Sequence, residues 1–224
     1  MAADVWGRGL SALNSGKFSE ELVRAYLLAK RQVVGAGFEH EIVWQENVSP
    51  SSVTDRSFLR EAAWVILCSG MRESVIRRLF SPIGEAMLGW VPAEVSEHQQ
   101  HCRERALTHY RHVKKIEAII RIAIRVSRGE REKLMASVEL DGPTALTSLP
   151  YIGPTTCFHL AKNLGFQVPK PDRHLLRIAE RCGLSVDELC TSISDVLDEP
   201  VPVVDVVLWR YATLQENYLD LFRL

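Results

Sequence analysis

Ser148-Leu149-Pro150-Tyr151-Ile152-Gly153-Pro154-Thr155-Thr156 is the stretch that decides how this chain is read. It lies between a short helical segment ending near Ser148 and an apolar segment, 155–164, with helical spacing. Pro150 stops the first helix, Gly153 supplies a residue free to take positive φ, and Pro154 can open the second helix, where its missing amide costs little. So tight a turn leaves unbonded amides at the second helix's N-terminus, and such amides form an anion site. Turn chemistry alone leaves two readings open: an ordinary αα-hairpin, or a backbone grip on a phosphate.

Outward from this turn the spacing is helical throughout, without internal repeats, and predicts an all-α protein. Ser19 is placed to cap a first helix through Ala29, with Leu22, Val23, Tyr26 and Leu27 on one face. Glu41-Ile42-Val43-Trp44 reads as a short strand or an extended arm. A second helix starts at Asp55 and stops at Ser69-Gly70. Ser74–Phe80 is helical until Pro82, and 93–107 forms the next helix. Over 110–126, Val113, Ile116, Ile119, Ile120 and Ala123 mark a buried face, leaving Lys114, Lys115, Arg121 and Arg125 on an exposed basic side. Asp141-Gly142-Pro143 is a loop before 144–148.

At 224 residues with 46% hydrophobic composition, the chain can bury a sizeable core. It carries no apolar run of bilayer length, and Met1 to Gly9 lacks the order of a leader, so a cytoplasmic protein is expected. The five cysteines are scattered, with neither a disulfide framework nor a close metal knuckle. A formal net charge of −1 argues against a whole-surface nucleic-acid binder. Charge is nevertheless uneven: eight basic residues face two acids between Arg103 and Arg128, while 185–200 holds five acids and no base. That polarity reads either as one face for phosphates or as a solvated helix. His98, His101, Cys102, His109 and His112 include i, i+3 pairs, but at no spacing that defines a closed zinc site.

Asp172 follows Gly165-Phe166-Gln167-Val168-Pro169-Lys170-Pro171 and precedes a helix from Arg173. Its ordinary role is to cap that helix. A rigidly held carboxylate there is also suited to stabilise an oxocarbenium-like sugar and to orient or deprotonate water.

Leu149-Pro150-Tyr151-Ile152-Gly153, with Asp172 after the second helix, resembles the helix-hairpin-helix DNA glycosylase superfamily, matching four of five positions of its L-P-G-hydrophobic-G hairpin. Trp64–Met71 resembles that family's early helix and DNA-inserting turn, Tyr110–Ile116 its basic helix, and order and rough spacing agree over 55–183. The resemblance implies a two-lobed helical fold with an interlobe active-site cleft. One lobe would span 60–168, with the hairpin at about 144–164, and 1–59 plus 169–224 would form the other. It implies a monofunctional DNA glycosylase acting on a damaged or modified base flipped from double-stranded DNA, with Asp172 as catalytic carboxylate. Contacts to DNA would come from Tyr151, Ile152, Gly153, Thr155, Thr156, Lys170 and His174, with Met71 or Arg72 filling the gap left by the base. Trp64 and Trp44 are candidates for stacking on that base. A sodium or potassium ion on the carbonyls of Thr147, Leu149 and Ile152 is implied, and a monomer without further cofactor.

Three departures shape the expectation. Thr155 stands where bifunctional members carry a nucleophilic lysine, which leaves Lys170 as the only displaced candidate for a lyase. Tyr151 replaces the first hairpin glycine. Only Cys182 and Cys190 lie where some relatives hold an iron-sulfur cluster on four cysteines, so none is expected. The alternatives to an enzyme are a helix-hairpin-helix module that grips DNA without catalysis and an all-α interaction protein whose hairpin is only structural. Base excision repair and defence against modified viral DNA are both compatible roles.

Overall fold

A computed structural model describes residues 4–223, with side chains from residue 18 onward. Met1–Ala3, within the stretch read for a leader, lie outside the described residues. All regular structure among the described residues is helical, as the spacing predicted, and none of the helices is long and apolar enough to cross a membrane. The helices are α1 (Asp4–Gly35), α2 (Glu39–Glu46), α3 (Asp55–Cys68), α4 (Glu73–Ala86), α5 (Pro92–Glu97) and α6 (Gln99–His109). After them come α7 (Val113–Ser127), α8 (Glu130–Asp141), α9 (Thr156–Asn163), α10 (Arg173–Cys182), α11 (Val186–Leu197) and α12 (Val201–Leu214). The chain divides into two compact units, one of residues 1–47 with 167–224 and one of 48–166.

In the first unit, Leu22, Tyr26, Ala29 and Val33 of α1 share a core with Val203, Val204, Val207 and Tyr211 of α12 and with Phe222. Full burial of each large side chain contributes about 1.5–3 kcal/mol. Glu199 ties the same elements: it accepts from Tyr26 Oη at 2.5 Å and from Lys30 Nζ at 2.8 Å. Ser19 is no cap, because the helix runs unbroken through it, and Leu27 is 45% exposed rather than in the core. Glu41–Trp44 is helical, not extended. Ile42 and Gln45, three apart, are buried, and Arg210 of α12 grips Glu41 through Nε and a terminal nitrogen at 2.9 and 2.6 Å while lying 4.2 Å over Phe38. That fork geometry fixes α2 where short-range propensity leaves it undecided.

In the second unit, α3 is buried on most sides, and Thr54 opens it with a capping box shared with Ser57. It packs on α7, whose Ile116, Ile119, Ile122 and Ala123 are fully buried. Pro82 does not end its helix: α4 continues to Ala86, anchored by buried Ile83 and Gly84. A Cβ on Gly84 would fall 2.8 Å from Trp90 Nε1, so glycine there admits the indole. The segment 93–107 is two helices, broken at His98. The helix expected from Tyr110 begins at Val113, where His112 Nδ1 accepts from the Lys115 amide at 3.4 Å. The segment 144–148 belongs to a 3-10 helix, Pro143–Ser148. After α9, Gly165 at φ +89° sits so close to Ser49 that an added Cβ would meet that backbone at 2.7 Å.

Candidate functional site

Within the second unit, the hairpin is built on a type II turn. Leu149 O accepts from Ile152 N at 3.2 Å, Pro150 occupies the first corner, and Tyr151 takes the second at φ 67°. The positive φ therefore falls on Tyr151, not on Gly153. A type II turn demands it at its third residue, so tyrosine accepts a left-handed backbone that costs an L-residue about 1–2 kcal/mol. Pro154 does not open α9 directly, because the helix begins at Thr156 with Thr155 as its N-cap.

Around this turn the donors are largely assigned. Gly153 N donates to Thr156 Oγ1 at 2.7 Å and Cys157 N to Gly153 O at 2.9 Å. The amides of Thr155 and Thr156 donate to no acceptor among the described residues. A Cβ on Gly153 would meet only Thr156 Oγ1, at 3.9 Å, so the fold itself leaves room for a side chain there. Ile152 is buried, which keeps its side chain off the surface, whereas Tyr151 is 40% exposed. Arg121 and Arg125 of α7 line a groove of about 520 Å³ together with Thr147–Pro150, and Arg125 donates to Ser148 O at 2.8 Å.

The helical spacing put Lys115 on the exposed side of α7, but it is 2% exposed. Its ammonium donates to Leu67 O at 2.8 Å, Ser69 O at 2.6 Å and Tyr110 Oη at 3.3 Å. It also lies 5.7 Å from the Tyr110 ring centroid and 5.9 Å from that of Tyr151. His112 stacks on Tyr110 and meets Tyr151 edge-on, with both pairs of centroids 5.9 Å apart. Burial pushes the Lys115 amine below its ordinary value, while nearby Cys68 acts against that. One lysine thus fastens the Ser69-Gly70 turn and the hairpin together. At that turn Gly70 has φ 69°, Met71 is 40% exposed, and exposed Arg72 forms no ion pair among the described residues. Trp64 is half-buried, edge-on to Phe80 at 5.1 Å and under Arg77.

Asp172, Lys170, His174 and Trp44 belong to the first unit. Asp172 caps α10: its Oδ1 accepts from the His174 and Leu175 amides at 2.9 and 3.2 Å. Its Oδ2 lies 3.8 Å from Lys170 Nζ. The loop that carries both is held by Asp205, 1% exposed on α12, which accepts from Lys170 N at 2.7 Å. His174 packs edge-on to Tyr218 with centroids 5.5 Å apart. His174 Nδ1 and Tyr218 Oη are both buried without a hydrogen-bond partner among the described residues. Burial lowers the His174 pKa, against the raising influence of Asp172. Trp44 is 38% exposed on α2.

Sequence reasoning missed Lys115, Asp205 and Tyr218, since each acquires its partners from segments distant in the chain. No group of three or more histidine, cysteine or acidic side chains able to hold a metal occurs among the described residues, and the histidines around Cys102 form no such cluster. Comparison with protein-family models, curated proteins and solved structures returned no match.

Proposed function

We propose that this chain is a monofunctional DNA glycosylase of the helix-hairpin-helix kind, and we read its two units as the two lobes of that fold. The observation that carries the reading is Lys115, whose one buried ammonium presents the exposed Met71 turn and the Tyr151 hairpin as parts of a single block. A wedge for duplex DNA and a phosphate grip need this fixed spacing. The free amides of Thr155 and Thr156, at the positive end of α9, supply donors for a backbone phosphate without a charged side chain. Among the described residues Ile152 O accepts no hydrogen bond, and Leu149 O keeps a second lone pair; with Thr147 O these are the neutral oxygens that would hold a sodium or potassium ion.

Asp172 supports the chemistry. Two cap hydrogen bonds anchor Oδ1, leaving Oδ2, beside Lys170 Nζ at 3.8 Å, as the oxygen for a reacting sugar. As the glycosidic bond breaks and the base departs with its electron pair, this negative charge stabilises the sugar cation. Water then adds to the anomeric carbon and gives its proton to the carboxylate. Thr155 offers no amine for covalent attack.

The test is base release from duplexes carrying alkylated, oxidised, deaminated or otherwise modified bases, read by alkaline strand cleavage. The wild type is expected to release at least one base, and Asp172→Asn, which still caps α10, to lose activity while remaining folded. Undiminished release by Asp172→Asn would refute the mechanism. An adduct trapped by borohydride on Lys170 would replace it with a lyase.

A further inference from the structure

Beyond Asp172 along α10, the first unit carries a cavity of about 350 Å³ lined by Arg177, Arg181, Glu216, Tyr218, Asp220 and Arg223, among others. Three guanidinium groups face two carboxylates there. Arg223 pairs with Asp220 at 2.6 Å, whereas Arg177 and Arg181 are exposed and form no ion pair among the described residues. The two arginines stand one helical turn apart, about 6 Å along the axis, a spacing from which two long side chains can converge on one anion. A second and independent feature is Tyr218, a lining residue only 6% exposed, whose buried hydroxyl has no hydrogen-bond partner among the described residues. A buried polar atom of this kind calls for an acceptor or donor that the protein does not supply.

We propose that this cavity holds a phosphodiester of the DNA strand, gripped by Arg177 and Arg181 with a hydrogen bond from Tyr218. The residual charge of the lining is a single positive one, which matches the single negative charge of a diester better than the double charge of a free phosphate. The proposal rests on the DNA-binding reading above and adds a second anchor to it, on the helix that Asp172 begins.

Fluorescence anisotropy of the full chain with a labelled duplex, across a series of salt concentrations, tests it. The double variant Arg177→Gln/Arg181→Gln is expected to lower the slope of log affinity against log salt by about one, the share of a single phosphodiester. Tyr218→Phe, which keeps the ring against His174, should weaken binding roughly two- to tenfold. Arg24→Gln/Arg31→Gln, on exposed positions of α1, corrects for charge loss at large and should leave the slope within about half a unit of the wild type. An unchanged slope in the Arg177/Arg181 variant, with the wild type binding normally, overturns the cavity assignment and leaves the DNA reading intact. A wild type with no salt-dependent affinity for DNA overturns both. Thermal stabilisation by inorganic phosphate that disappears in the double variant, with the DNA slope unmoved, would assign the cavity to a small free anion instead.

Discussion

Tyr151 offers a test of the hairpin whose outcome turns on a sign. With φ at 67°, it carries the left-handed penalty of about 1–2 kcal/mol that alanine would also carry and glycine would not. Replacement by glycine also loosens the unfolded chain, which costs about 0.4–1 kcal/mol relative to alanine. Both variants lose the same ring contacts with His112 and Lys115, so the comparison between them cancels those. Tyr151→Gly should therefore be more stable than Tyr151→Ala by about 0.5–1 kcal/mol, the reverse of the order at a turn residue with negative φ. Tyr151→Phe should match the wild type within about 0.5 kcal/mol, because the hydroxyl meets His112 Nε2 only at 3.5 Å. Urea denaturation of the four proteins at equal slope supplies the numbers. If the glycine variant proves less stable than the alanine variant, the type II turn, and the path it gives the backbone toward Thr155, is wrong.

Gly165→Ala combines positive φ with overlap on the Ser49 backbone, and should cost about 2–5 kcal/mol, whereas Gly183→Ala, left-handed at φ +70° in open space, should cost only about 1–2 kcal/mol; denaturation midpoints compare them. Lys115→Met strands the carbonyls of Leu67 and Ser69 and should destabilise by about 2–4 kcal/mol, with proteolysis appearing first at the Ser69–Arg72 turn; first cleavage elsewhere would argue against its role as a fastener. Folding lowers the His174 pKa below its ordinary 6.5, so the unfolded chain takes up the proton more readily and stability falls as pH drops through and below that value. His174→Asn should reduce the loss of melting temperature between pH 7.5 and 5.5, and an identical loss would remove His174 from the account.

The all-α class and the start of α10 were legible because they are local: a 3.6-residue period needs only its own neighbours, and Asp172 caps amides two and three residues away. The hairpin could be located from its prolines and glycine, yet its strained residue could not, since type II geometry assigns positive φ by position in the turn rather than by residue preference. Short apolar runs such as Glu41–Trp44 fit strand and helix alike until a distant group decides, here Arg210, 169 residues away. Lys115 was misread for a similar reason: its period places it beside Lys114 on a polar edge, and only acceptors 46 and 48 residues upstream make its burial favourable. The candidate site is equally divided. Asp172 stands in a recognisable local setting, whereas Asp205 and Tyr218, which brace its surroundings, come from segments with no periodic signal toward it.

The first unit draws on both flanks of the chain while the second is one uninterrupted stretch, and this orders events on the ribosome. Residues 48–166 form a compact unit from one continuous stretch, so that block is free to fold as it emerges. The helix α1 is made before that block but covered after it: Leu22, Tyr26, Ala29 and Val33 wait for α12. A nascent chain stalled before residue 201 would therefore hold a folded middle and an oily leading helix, the kind of surface that a chaperone binds and that aggregates when none does.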